Sequence, residues 1–389
     1  MNFKTLRDFD FNGKKVLLRI DLNVPVQDGI VAETTRIDRV KPTIDYLIQH
    51  GAKIVIISHF GRPKGEVKPE FSLKFLTPVL EKQWGYSVGF GEDSTKEITL
   101  LENLRFDPGE EKNDLAFAKK LAAHGDIFIN DAFSMSHRAH ASTEAITHLL
   151  PCGAGLLMEA ELKALHIALD HPEKPIIAIV GGSKISTKLS VLHNLVKRVN
   201  YLALGGGMAN TFLLATGHEI GTSMCETDMV EEAKKIMATA KESNCEIILP
   251  IDCAVVEKLE PGTSSDIVDL NNFPNNKSAV DIGPKSIDAV CKILESCKTV
   301  LWNGPFGVFE IKPFDNGTNK VAQKVSDLTK SKKLVSIAGG GDTVSALDNA
   351  GVVEDFSYIS TAGGAFLEWL EGKELPGVAA LKNSASRAA

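Results

Sequence analysis

Short apolar runs rich in β-branched residues recur along this chain with amphipathic helical stretches between them, and that alternation leaves few folds open. The runs fall at 16–20, 53–58, 98–101 and 127–130 in the first half and at 176–180, 201–204, 246–250, 299–302 and 334–338 in the second. Stretches with helical period between them include 35–49, 113–124, 184–199, 227–243, 285–296 and 343–350. A strand that is apolar along its whole length is covered on both faces. Strands separated by helices return in the same direction, so the expected class is α/β with parallel sheets. At 389 residues the chain exceeds what one core ordinarily serves, which predicts two domains, each a doubly wound, Rossmann-like sheet.

Residues 158–169 are good helix formers, and 170–175 is a polar stretch with two prolines that would end the helix. This predicts an interdomain helix and hinge joining a domain of residues 1–165 to one of residues 175–375. The stretch 259–280 lacks helical period and is rich in Pro, Asn, Ser and Asp, which predicts irregular surface structure or short antiparallel strands. No internal repeat is evident.

The first half delivers cations to strand ends. In Arg19-Ile20-Asp21-Leu22-Asn23, period-2 alternation sets Arg19, Asp21 and Asn23 on one side. His59 and Arg62 follow the 53–58 run, Arg105 follows 98–101, and Ser136-His137-Arg138-Ala139-His140 follows 127–130. Open parallel sheets bind ligands outside the carboxyl ends of their strands, so separate loops bring these arginines to one edge. A lone arginine is ordinarily a surface ion-pair partner; several at one topological position predict an anion site, because guanidinium forks match phosphate and carboxylate. Asp21 and Asn23 suit a hydroxyl. The substrate expected here carries a hydroxyl together with phosphate, carboxylate or acyl phosphate. His59, His137 and His140 read as ligands or as satisfied loop histidines, and no Cys/His grouping supports a metal site.

The second half carries glycine turns at strand ends. Gly181-Gly182-Ser183-Lys184 joins a strand to a helix start; it is not a GxxxxGK[ST] loop, yet it offers backbone N–H groups and a positive helix end to an anion. Lys184 and Lys188 lie four apart, which on a helix puts them on one face, within reach of one polyphosphate. Gly205-Gly206-Gly207-Met208-Ala209-Asn210 fails GxGxxG at Asn210, which weakens a dinucleotide reading. Gly339-Gly340-Gly341-Asp342-Thr343 ends a strand and opens a helix. Asp342 is there either a helix N-cap or a magnesium ligand, with Thr343 and the helix start facing terminal phosphate oxygens. Glu310, in the loop after 299–302, is either a ribose hydroxyl acceptor or a surface residue.

A net charge of −7 gives little support to nucleic-acid or membrane-surface binding, so these basic clusters point to a small anion. The six cysteines show no CxxC spacing, which predicts reduced thiols in a cytosolic protein. The opening MNFKTLRDFDF has no apolar run of signal length, and no stretch reaches the ~18 uncharged apolar residues of a membrane span.

Taken together, the strings RIDLNVP (19–25), SHFGRP (58–63), LLENLRF (100–106), SHRAH (136–140), GGSKISTK (181–188), GGGMANTF (205–212), LWNGPFGVFE (301–310), GGGDT (339–343) and STAGGAFLE (360–368) closely resemble the phosphoglycerate kinase family, in order and over nearly the whole chain. The resemblance implies reversible transfer of the acyl phosphate of 1,3-bisphosphoglycerate to ADP, giving 3-phosphoglycerate and ATP. It implies that 3-phosphoglycerate meets Asp21, Asn23, Arg36, His59, Arg62, Arg105 and Arg138. It implies that nucleotide meets Lys184, Lys188, Gly207, Glu310, Gly340, Gly341, Asp342 and Thr343, with Asp342 on Mg2+. Arg36, Lys184, Lys188, Gly363 and Gly364 would act at the transferring phosphoryl group, and the tail 376–389 would return to the N-terminal domain. A cytoplasmic monomer is implied as well.

Three departures stand out. Ser134-Met135-Ser136 replaces the Gly-Thr-Ala that ordinarily precedes His137, Phe306 stands where Met or Val is usual, and Ala362 replaces a glycine. Ala362 adds a Cβ beside the expected phosphate position, which predicts tuning and not loss of the site. A nucleotide-dependent dehydrogenase is the first rival, disfavoured by the missing GxGxxG and the clustered arginines. A non-catalytic nucleotide-binding member of the same fold is the second.

Overall fold

The computed structural model describes residues 3–92, 94–167 and 172–387. The chain divides into two compact units, one of residues 1–163 with 374–389 and one of residues 164–373. The expected 158–169 helix and 170–175 break fall partly on residues 168–171, which lie outside the described residues, as do 388–389 of the tail; the described helix is Leu156–Leu165.

The first unit is built on six parallel strands in the order Val88–Phe90, Ile98–Leu100, Lys53–Ile57, Lys15–Arg19, Ile127–Asn130, Cys152–Ala154. Only Lys15 of the Lys15–Arg19 strand is exposed, because helices cover both faces of the sheet. In the Thr35–Gln49 helix, Ile37, Val40, Ile44 and Leu47 recur at helical spacing and pack into a core with Val16, Leu18, Ile54 and Ile56. Each such burial contributes about 1.5–3 kcal/mol relative to exposure. The Pro376–Arg387 helix completes this unit: Leu375, Val378 and Leu381 are buried, and the Gly377 N–H donates to the Ser136 carbonyl at 2.9 Å.

The second unit repeats the plan, with strand order Glu246–Ile248, Tyr201–Leu204, Ile176–Val180, Thr299–Asn303, Val335–Gly339, Tyr358–Ser360, again all parallel. Ile176–Val180 and Thr299–Asn303 are buried throughout. The helices Pro284–Ser296 and Asn316–Lys330 set Val290, Leu294, Val321 and Val325 against Ile177, Ile179, Val300 and Trp302.

In each unit the chain lays its first strand in the middle, builds on one side, then returns to build on the other. Strand order therefore reverses between Lys15–Arg19 and Ile127–Asn130 in the first unit, and between Ile176–Val180 and Thr299–Asn303 in the second. These are the switch points at which open α/β sheets leave a crevice.

The structure adds to the sequence reading in one place, settles an open alternative in another and corrects it in a third. Val88–Phe90, Cys152–Ala154 and Tyr358–Ser360 are three-residue strands at or near sheet edges, too short to show a period. Of the two alternatives for 259–280, short antiparallel strands are found: Asp266–Asp269 and Ser278–Ile282 flank Asp252–Val256. The 184–199 helix is instead a 3-10 turn over Ile185–Thr187 followed by an α-helix over Leu189–Leu195. Lys184 (φ −135°, ψ 128°) and Lys188 (φ −129°, ψ 15°) are both non-helical.

Candidate active site

At the first switch point, two strand-end segments and the start of the Thr35–Gln49 helix meet on one carboxylate. Asp21 Oδ2 accepts from Arg36 Nη1 at 2.8 Å and from Ser134 Oγ at 2.6 Å, while Oδ1 accepts the Asn23 N–H at 2.9 Å. Arg36 Nη1 also donates to the Asn23 carbonyl at 2.9 Å, and its side chain keeps 35% exposure. Asn23 Oδ1 accepts the Gly61 N–H at 2.9 Å, which ties the 59–63 loop to the 21–25 segment. Gly61 has φ +60° and a Cβ there would lie 2.4 Å from the Phe71 ring, so only glycine fits this turn. Arg105, 6% exposed, donates from Nη1 to the Gly61 carbonyl at 2.8 Å and pairs with Glu111 at 3.2 Å.

Asp21, Asn23, Arg36 and Arg105 are thus one connected group through the Gly61 backbone, and His59 lies beside it against Arg19. Arg138 is exposed, with Nε 3.2 Å from His137 Nε2, and its charge adds to the desolvation that lowers the Arg105 pKa. Arg62 is exposed at the end of the same 59–63 loop and makes no hydrogen bond or ion pair among the described residues. Burial would raise the Asp21 pKa, but the Arg36 guanidinium, the Ser134 hydroxyl and the Asn23 N–H hold it below the usual carboxylate range.

Arg19 differs from what its alternation suggested. It is fully buried and internally engaged: Nε donates to Ser142 Oγ at 3.0 Å, Nη1 donates to the Ile20 carbonyl, and Nη2 lies 3.1 Å from His59 Nδ1. Ser142 Oγ in turn donates to the buried Glu110 at 2.6 Å. An arginine only donates, so His59 Nδ1 accepts and the imidazole proton sits on Nε2. Burial pushes the His59 pKa well below its ordinary value, Arg19, Arg105 and Arg36 push the same way, and Asp21 opposes them. His59 is therefore a neutral hydrogen-bond donor at physiological pH and not a fourth cation.

The second switch point is built from backbone. Lys188 Nζ donates to the Gly181 carbonyl at 2.7 Å and the Asn303 carbonyl at 3.0 Å, clamping the two strand ends across the reversal. Burial pushes its pKa down to about 8, against the opposing Asp342 carboxylate. The Lys184 side chain is exposed and makes no hydrogen bond or ion pair among the described residues, while its carbonyl accepts from Thr187 Oγ at 2.8 Å. The shared helical face expected for Lys184 and Lys188 does not exist: one ammonium points to solvent and the other under the loop, because the backbone at both is non-helical.

Beside this point lies a cavity of about 700 Å³ whose lining includes Gly182, Gly207, Phe306, Glu310 and Asp342. A Cβ on Gly207 would come within 2.5 Å of the Ser183 carbonyl, so the close approach of these two turns requires glycine. Asn210, where a dinucleotide motif would have glycine, is buried and donates to the Met224 carbonyl at 3.0 Å. Phe306 packs edge-on to Trp302 with ring centroids 5.9 Å apart.

The Gly341–Asn349 helix has Gly340 as its N-cap. Asp342 lies in the first turn, exposed, with no capping bond, which sets the N-cap alternative aside. Thr343 is buried and its Oγ accepts the Gly304 N–H at 2.7 Å, so the hydroxyl is a strut between loops. Gly363 precedes the Gly364–Leu370 helix, and a side chain on it would meet nothing within 4 Å. Ala362 is buried and is not among the positive-φ residues, so its methyl group brings no backbone strain.

Sequence reasoning missed Asn303 and Asp281. Asn303 Nδ2 bridges to the Gly339 carbonyl at 2.7 Å, and Asp281 lines the cavity with its pKa raised to about 7 by burial. Asparagine in an NGP turn and an Asp in an unrecognised strand carry no local signal.

Among the described residues no three His, Cys, Asp or Glu side chains group as a metal cage, and no helix is long and apolar enough to cross a membrane. Asp342 is an exposed carboxylate on the lining of this cavity, which fits magnesium, held by one or two carboxylates together with substrate phosphates.

Comparison with known proteins follows the same line. The family model described as phosphoglycerate kinase matches residues 6–373. A phosphoglycerate kinase of Ruegeria sp. (strain TM1040) is 54% identical over 395 residues, covering 98% of this chain and all of that one. One from Rhodospirillum centenum is 54% identical over 394 residues, with the same coverage. Among solved structures, phosphoglycerate kinase from Coxiella burnetii matches with a TM-score of 0.93 at 40% identity, covering 98% of this chain and 100% of that one. Phosphoglycerate kinase from Pyrococcus horikoshii OT3 matches with a TM-score of 0.81 at 31% identity, covering 98% and 99%.

Proposed function

We infer the chemistry of this chain from one premise: the chain belongs to the phosphoglycerate kinase family. It transfers a phosphoryl group reversibly between 1,3-bisphosphoglycerate with ADP and 3-phosphoglycerate with ATP, the carboxyl-acceptor reaction of glycolysis and gluconeogenesis. The observation that carries this reading is the Asp21–Asn23 pair, a hydroxyl-accepting group set among Arg36, Arg105 and a neutral His59. That combination matches a small molecule with one hydroxyl and two anionic ends. The dehydrogenase rival is not favoured.

We assign 3-phosphoglycerate to the first unit, where Arg62 and Arg138, exposed and free of acidic partners among the described residues, receive its phosphate. Nucleotide goes to the second, with Gly207 and Glu310 lining its cavity and Gly340, Gly341, Asp342 and Thr343 forming the turn at its phosphate end. Lys188 has two of its three donors on carbonyls and one left for a phosphate oxygen. Asp342 would hold Mg2+, which supplies charge neutralisation on the nucleotide phosphates.

Phosphoryl transfer needs positioning and charge stabilisation, and the acceptor oxygen is already ionised, so no general base is required. Arg36 and Lys184, with backbone N–H groups at Gly363 and Gly364, offset charge on the equatorial oxygens in flight. Two substrates on two units imply hinge closure that brings them together and excludes water. A cytoplasmic monomer belongs to the same reading.

An intact Arg36, Lys184, Lys188 and Asp342 support a working enzyme over a non-catalytic relative. Coupled assay of the purified chain with 3-phosphoglycerate and MgATP tests this. Steady ADP formation dependent on both substrates is expected; a folded chain that binds nucleotide without turnover would overturn it.

A further inference from the structure

Ser134 is the residue at the first site that the reaction chemistry does not call for. It lies in the Phe133–Met135 turn after the Ile127–Asn130 strand, and its hydroxyl donates to Asp21 Oδ2 at 2.6 Å across 113 residues of sequence. No other hydrogen bond of its side chain is present among the described residues, so it does not serve its own turn. In the motif this segment resembles, the corresponding residue is glycine, which has no hydroxyl to give.

The geometry at Asp21 makes the contact consequential. A carboxylate offers about four acceptor positions. Three are filled: Ser134 and Arg36 on Oδ2, and the Asn23 N–H on Oδ1. One position on Oδ1 remains for a ligand. With Ser134 absent, the carboxylate would be held on Oδ2 by Arg36 alone, a group that must also answer to a developing phosphoryl charge. We propose that Ser134 is a positioning residue, whose hydroxyl fixes the Asp21 carboxylate so that its remaining acceptor position receives the hydroxyl of the glycerate substrate.

This rests on the functional reading above, and the two are separable. Turnover by the unaltered chain tests the reaction; Ser134 variants test only the positioning. The expected result for Ser134→Ala and Ser134→Gly is a rise of about three- to tenfold in KM for 3-phosphoglycerate, the scale on which one ordinary hydrogen bond acts. The change in kcat should stay under twofold, and KM for MgATP should not move. Ser134→Thr keeps the hydroxyl and should restore KM to within twofold of the original value. An unchanged KM in Ser134→Ala would overturn the proposal. A lower KM would also overturn it, since the hydroxyl would then compete with substrate for Asp21. A loss that Ser134→Thr does not restore would trace the effect to packing and count equally against it.

Discussion

The two units share one topology and solve ligand binding in different materials. Each places its site where strand order reverses, after its central strand. In the first unit that point is filled by side chains: Arg19, Glu110 and Ser142 form a buried polar strut behind His59, and Asp21, Asn23 and Arg36 stand in front of it. In the second it is filled by main chain: glycine turns at 181–182 and 205–207 pack against each other, and the ammonium of Lys188 ties Gly181 to the Asn303 strand end. On the proposed assignment, the difference follows from the ligands. A three-carbon acid has few atoms and needs directional partners for each, whereas a polyphosphate can be gripped by rows of N–H groups wherever the backbone comes close.

The largest effect expected from breaking the comparison is at Arg19. Replacing it with Met removes the buried cation that faces Glu110, which then keeps only its two Ser142 hydrogen bonds and His140 at 3.6 Å, and the cost expected is at the lower end of about 3–5 kcal/mol. Denaturant unfolding should register that loss, and a cost under about 1 kcal/mol would mean the strut is dispensable. Next is Arg36→Ala, expected to lower kcat at least ~100-fold, because one donor to developing charge is worth several kcal/mol. A near-normal kcat in steady-state assay would remove Arg36 from the transferring group. The matching change in the second unit, Lys188→Met, strips two carbonyls of a shared donor and should cost about 1–3 kcal/mol. If it equals or exceeds the Arg19 variant in the same unfolding measurement, the contrast between a side-chain site and a main-chain site fails.

Most of the architecture was readable because fully buried parallel strands leave uninterrupted apolar runs, as at Ile176–Val180. The edge strand Tyr358–Ser360 left no such trace, being short and sealed on one side only. The site residues were readable as a set, through repeated arginines at strand ends, but their individual states were not. Alternation put Arg19 beside Asp21, yet Arg19 faces Ser142 and His59 in the interior, a contact between positions 123 and 40 residues apart. Four-residue spacing implied one face for Lys184 and Lys188, but the strand-end carbonyls capture Lys188 and the helix starts only at Leu189. Spacing rules describe regular elements, and both failures fall where an element ends.

The central claim is that each ligand has its own unit. The most direct test is calorimetric titration of Arg36→Ala and Asp342→Ala with 3-phosphoglycerate and MgATP separately. The account predicts that Arg36→Ala weakens 3-phosphoglycerate and leaves MgATP unchanged, and that Asp342→Ala does the reverse. Both variants weakening both ligands alike would contradict it.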